Sequence, residues 1–246
     1  MVAINVILLF SFTITISNAK RLAEAEENKQ QQGDYKVLSS LEIKNKLESF
    51  ESNFPDFVTL TTSQDLYGLQ RAGGENDCPF DNDPGCLNYI LTIEDTISHP
   101  RKSASYKSLP EVFISGCLHG DERVGPTSVV EAAEVLLHAA ECQSLLFKNS
   151  ADTKCGEDLK EKYAMDDKTR EWLARLVSTR RIIIVPTANA LGYFRNVREE
   201  DGIDPNRDFP YDKEPNKCME TIAARTVNEI FRDHMIQMAL TFHAGN

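Results

Sequence analysis

Three short stretches of this chain carry residues that could bind a metal, move protons or grip an anion. The first is SGCLHGDER, residues 115–123, in which His119 and Glu122 stand three apart around Gly120. Two side chains at that spacing, on a turn that opens into a helix, can converge on one ion, and the glycine lets the backbone bend between them. The second is GIDPNRDFP, residues 202–210, where Asn206 and Arg207 place an amide beside a planar guanidinium, a receptor suited to a carboxylate. Arg195 and Arg198, just upstream, could bring a second cation to the same pocket, or could pair with Glu199, Glu200 and Asp201 on an exposed loop. The third is LTFHAGN, where His243 emerges from an apolar run. With His119 and Glu122 it completes a His, Glu, His set that would leave zinc a fourth position for water.

Each of these stretches follows a run that reads as a strand. EVFISGC (111–117) precedes the first, the β-branched run IIIVPTA (182–188) the loop that leads to the second, and MALTF the third. Further strands are expected at FVTLTT (57–62) and NYILTIED (88–95). Helical periodicity runs from Leu38 to Phe54, capped by Ser39 or Ser40 and stopped at Pro55, and resumes past Pro126 through Ala140. It recurs from about Glu157 to Val177, with Leu159, Tyr163, Trp172, Leu173 and Leu176 on one face and Trp172 expected in the core, and again over Met219–Met238. Strands alternating with helices predict an α/β fold, a mixed β-sheet flanked by helices, in one domain over 36–246. Functional groups at strand ends are where such folds build clefts.

The composition fits a globular protein, 41% hydrophobic and 26% charged, and a net charge of −11 without a basic stripe argues against nucleic acid or an anionic membrane as partner. Residues 1–19 hold an apolar run ending in Ser17-Asn18-Ala19, the pattern of a cleaved signal peptide, and no other stretch approaches the length of a membrane span. A secreted protein, or one of the endomembrane lumen, is therefore expected. Residues 20–35 are polar and read as a disordered lead-in. Secretion lets the six cysteines pair: Cys78 with Cys86 could close one small loop, Cys142 and Cys155 bracket another, and Cys117 is the one expected to stay free. His99, His138 and His234 read as structural or surface residues.

Taken in order, HGDERVG, PTANALGYFRNVREEDGIDPNRDFP and LTFHAGN resemble the zinc metallocarboxypeptidases of the carboxypeptidase A, B and E type, and the stretch Leu38–Leu60 resembles the start of that catalytic domain. The resemblance implies a single zinc ion held by His119, Glu122 and His243, with Asp121 outside the ligand set. It implies that Asn206 and Arg207 grip the terminal carboxylate of a peptide or protein substrate. It also implies that Arg198, with Arg195 in reserve, polarises the scissile carbonyl. The family's general-base glutamate and a capping tyrosine lie on segments past the third ligand and have no counterpart here, so the resemblance implies a catalytic domain incomplete at its C-terminus. Two other readings remain: an aspartoacylase-type zinc deacylase of N-acyl amino acids, and a non-catalytic zinc- or peptide-binding relative.

Overall fold

The computed structural model describes residues 36–148, 154–211, 214 and 217–244, so the expected signal and lead-in lie outside the described residues. From Val37 onward the chain forms one compact unit. Helix α1 (Ser40–Asn53) starts at Ser39, whose hydroxyl accepts the Glu42 N–H while the Glu42 carboxylate accepts that of Ser39, a reciprocal capping box. It buries Ile43, Leu47 and Phe50. Strand β1 (Val58–Thr62), short helix α2 (Ser63–Tyr67), strand β2 (Tyr89–Ile93) and a single turn α3 (Ala104–Lys107) follow. Then come β3 (Glu111–Ser115), the long α4 (Val124–Lys148), α5 (Lys154–Tyr163), α6 (Asp167–Thr179) and β4 (Arg181–Val185). The chain continues through α7 (Ala190–Arg195), a 3-10 turn (Pro205–Arg207), α8 (Ile222–Asp233) and β5 (Ile236–Thr241).

The five strands form one mixed sheet in the order β1-β2-β4-β3-β5. The β1/β2 and β2/β4 pairs are antiparallel, whereas β3 runs parallel to both β4 and β5. Strand side chains alternate between faces, and both faces are apolar where the sheet is covered on two sides. Thus Ile182 and Ile184, with Leu91 and Ile93, meet residues of α1, α4 and α6 such as Leu47, Val130, Leu137 and Val177. Ile183 and Val185, with Ile90 and Phe113, meet Ile230 of α8 on the other face. Each such fully buried aliphatic side chain contributes about 1.5–3 kcal/mol. The outcome is the expected mixed sheet flanked by helices, with β5 at the edge, where Met238 and Leu240 remain exposed.

Some expectations are corrected. The single helix expected over 157–177 is two, because the backbone turns at Ala164, which takes a left-handed φ of 51°, and Asp166 caps a new start by accepting the Thr169 N–H. That break rotates the apolar face, and Trp172 is 58% exposed, not a core residue. The helix expected over 219–238 spans only Ile222–Asp233, and the strand that follows begins at Ile236. Cysteines 78 with 86 and 142 with 155 are disulfide-bonded, and Cys117 is a buried thiol. No helix among the described residues is long and apolar enough to cross a membrane.

Candidate metal centre

Parallel pairing brings the first and third chemical stretches together. Ser115 of β3 lies opposite Thr241 of β5, and the Phe242 N–H donates to the Ser115 carbonyl at 3.0 Å, so the residues just past both strands emerge at one end of the sheet. Strand β4 ends at the same edge, since Ser115 also pairs with Val185. All three loops therefore leave the C-terminal ends of parallel strands.

The turn after β3 is fixed by close backbone approach. The Gly120 N–H donates to the Arg198 carbonyl at 3.1 Å, and a Cβ at Gly120 would lie 2.0 Å from the carbonyl carbon of Gly192 and 2.2 Å from the Val197 oxygen. Only glycine lets the His119 turn press against the segment that carries Arg198. Fully buried Asn189 stitches the same junction: its N–H donates to the Cys117 carbonyl, its side-chain amide donates to the Arg198 carbonyl, and its Oδ1 caps α7 by accepting the Gly192 N–H.

In this frame His119, Glu122 and His243 offer ligand atoms all within 4.8 Å of one another. His119 and Glu122 are buried, and His243 is about one-third exposed at its side chain. His119 Nδ1 stands 2.9 Å from Glu122 Oε1, and His243 Nδ1 stands 2.9 Å from Glu122 Oε2. The two imidazole rings are 5.0 Å apart. Glu122 Oε2 is buried and, despite the nearby His243 nitrogen, takes part in no hydrogen bond of acceptable geometry. A buried carboxylate oxygen without a donor, flanked by two imidazoles, is a site that a cation satisfies. Two histidines and one carboxylate are the ligand chemistry of catalytic zinc, so the residues present fit that ion.

The structure adds a residue that sequence reasoning passed over. Asp204 Oδ1 lies 3.1 Å from His119 Nε2, and Asp204 Oδ2 accepts Nε and Nη2 of Arg198 at 3.2 and 3.1 Å. Both ring nitrogens thus face carboxylates, Glu122 Oε1 at Nδ1 and Asp204 Oδ1 at Nε2; with a cation seated between Nδ1 and Glu122, Asp204 would take the ring proton on Nε2. Burial alone would raise the Asp204 pKa, but the Asn206 N–H, the Arg198 guanidinium and the His119 ring outweigh it and hold the carboxyl below its usual range. The signal was present in the sequence: an aspartate before Pro205 is an N-cap, and Asp204 caps the 3-10 turn by accepting the Asn206 N–H.

The other singled-out residues are placed as follows. Arg198 shares Asp204 with His119, and the exposed Asn206 and Arg207 come two and three residues later on the same turn. Arg195 is drawn away: its guanidinium pairs with Asp77, beside the Cys78–Cys86 loop, and with Asp201. Its reserve role is set aside, because both carboxylates already occupy it. Burial, and then the charge of Glu122, push the Cys117 thiol far above its ordinary range, and its Sγ donates to the His119 carbonyl, so it offers no thiolate. His99 meets the Ser178 carbonyl, His138 packs edge-on against Phe54, and His234 pairs with Glu111.

Solved structures with the same fold include the metallo-carboxypeptidase of Burkholderia cenocepacia, at 14% identity and TM-score 0.51, with 85% of this chain and 41% of that one covered. Thrombin activatable fibrinolysis inhibitor matches at 13% identity and TM-score 0.50, with 86% of this chain and 48% of that one covered. This chain thus spans less than half the length of those structures. No curated protein matches it. The zinc carboxypeptidase family model matches residues 43–246, a span that takes in β1 through β5 and all of the residues grouped around Glu122. With that match added to the shared fold and to the His-Glu-His group at its parallel strand ends, the chain belongs to the zinc carboxypeptidase family.

Proposed function

We propose that this chain carries the metal- and carboxylate-binding centre of a metallocarboxypeptidase that hydrolyses the C-terminal peptide bond of peptides or proteins. The observation that carries the reading is Asp204, which ties the candidate ligand His119 to Arg198 and caps the turn that presents Asn206 and Arg207. His119, Glu122 and His243 would hold one zinc ion. When bound, zinc supplies a Lewis acid for the scissile carbonyl and for the attacking water. With the ion seated, Asp204 would accept the His119 proton on Nε2 and leave Nδ1 as the ligand. Arg198 has Nε and Nη2 committed to Asp204, which fixes the guanidinium plane and leaves Nη1 as its donor for the developing oxyanion. Asn206 and Arg207 would bind the terminal carboxylate through the amide and the guanidinium fork. Recognition of that carboxylate is what restricts cleavage to the chain end.

Secretion belongs to the same proposal. The signal-like residues 1–19 support it, as do the two disulfides, which persist in oxidising compartments. The functional test offers the zinc-loaded full-length protein an N-blocked dipeptide, the same dipeptide as its C-terminal amide, and an N-acyl amino acid. A carboxypeptidase prefers the first and loses that reaction to a chelator. Equal handling of acid and amide would sink the reading, preferential cleavage of the N-acyl amino acid would favour the deacylase, and binding of the acid without release would favour a binding module.

A further inference from the structure

The segment 200–208, which carries Asn206 and Arg207 and begins two residues after Arg198, is anchored at both ends to one helix N-terminus. At one end Glu200, 4% exposed, accepts the Ile222 N–H on Oε1 and the Ala223 N–H on Oε2. At the other end the fully buried Asp208 accepts the Glu220 N–H on Oδ1, and both the Thr221 N–H and the Thr221 hydroxyl on Oδ2. Thr221 itself caps α8 by accepting the Ala224 N–H. Five successive backbone donors, from Glu220 to Ala224, are thus satisfied by three side chains. The N-cap Thr221 serves only the Ala224 N–H, so the buried Ile222 and Ala223 N–H groups fall to Glu200, a residue 22 positions away rather than one of the helix's own. What it adds is a fixed position for residues 198–207.

We infer that Glu200 is a positioning residue for carboxylate recognition: its two hydrogen bonds to the start of α8, opposite those of Asp208, hold Arg198 in register with Asn206 and Arg207. The inference rests on the carboxypeptidase reading above. Two N–H groups facing two oxygens require the carboxylate form, because a protonated oxygen would present a donor to a donor. Burial pushes the Glu200 pKa up to about 7, the two N–H groups oppose it, and the charges of Asp201 and Asp208 add to the rise. From α8 the groups facing it are the Ile222 and Ala223 amides; Arg225, the first cation on that helix, is exposed and donates to the Met219 carbonyl. The anchor therefore tightens as pH rises through about 7.

The test measures affinity of the zinc-loaded protein for an N-blocked dipeptide and for its C-terminal amide between pH 6 and 8.5, in the wild type and in Glu200→Gln. The wild type should bind the acid more tightly as pH rises, with an inflection near 7. Glu200→Gln, which keeps one acceptor and turns an amide NH2 toward the other N–H, should lose about tenfold in affinity for the acid at pH 8, with little change for the amide and a flat profile. If the wild type prefers the acid and Glu200→Gln keeps both that preference and the inflection, this inference falls alone. If the wild type binds acid and amide equally, it falls together with the carboxypeptidase reading. Should the variant not fold, hydrogen-exchange protection of the Ile222 and Ala223 amides in the wild type decides: it should rise through pH 7 in step with acid affinity, and a flat protection profile overturns the anchor.

Discussion

Replacing Asp204 by alanine removes three contacts at once: the acceptor for His119 Nε2, the partner of Arg198 and the cap of the turn bearing Asn206. None of these is a metal ligand, yet the first decides which nitrogen of His119 is available. Without it the ring exchanges tautomers and orientations, and only part of that population presents Nδ1. Loss of such an outer carboxylate typically costs 10–100-fold in metal affinity, about 1.4–2.7 kcal/mol, and His119 is buried enough for the upper half of that range. The assay is competition for zinc against a chromophoric chelator at pH 7.5, with far-UV circular dichroism to verify that the fold persists. Asp204→Asn supplies the internal control. Its amide oxygen can still serve His119 and the Asn206 N–H while its NH2 group opposes Arg198, so zinc affinity should stay within about threefold of wild type while preference for a C-terminal carboxylate drops. An Asp204→Ala protein that holds zinc as tightly as wild type would refute the claim that Asp204 sets the ligand state of His119.

Two further outcomes follow from the packing and charge around the site. Leu137, fully buried on α4 against the sheet, should cost about 2–5 kcal/mol when changed to alanine, read from urea denaturation. Glu134 accepts from Lys46, Lys162 and Tyr163, and although burial works the other way these bonds hold its pKa down to about 2. A carboxyl depressed in the folded state contributes stability above its unfolded value near 4.5 and loses it as pH falls toward 2. Glu134→Gln should therefore be less stable than wild type at pH 7, with the gap closing by pH 2–3; a gap independent of pH would contradict the assignment.

The sequence made some features plain and hid others for identifiable reasons. β4 was legible because Ile182, Ile183 and Ile184 leave no polar face, and α1 because Leu38–Phe54 keep helical period between a serine cap and Pro55. The order β1-β2-β4-β3-β5 was not, since strand neighbours are chosen by long-range packing that periodicity does not encode. The break at Ala164 was missed because a left-handed alanine has no local signature of the kind a glycine gives. At the site, residue types and order singled out His119, Glu122 and His243, and the family resemblance added Arg198, with Arg195 in reserve. Asp204 was readable only as a cap before Pro205, and Asn189 and Glu200 stayed hidden among ordinary polar residues: the roles of the three come from atoms 85, 9 and 22 positions away in the chain.

Whether His119, Glu122 and His243 form one zinc site is decided by zinc stoichiometry and X-ray absorption on the loaded protein. The loaded protein should hold one zinc per chain bound by two imidazole nitrogens and a carboxylate, and His243→Ala should lose the ion under dialysis that leaves the wild type loaded. Zinc bound through sulfur, or a His243→Ala protein that retains its zinc with an unchanged spectrum, would contradict that site.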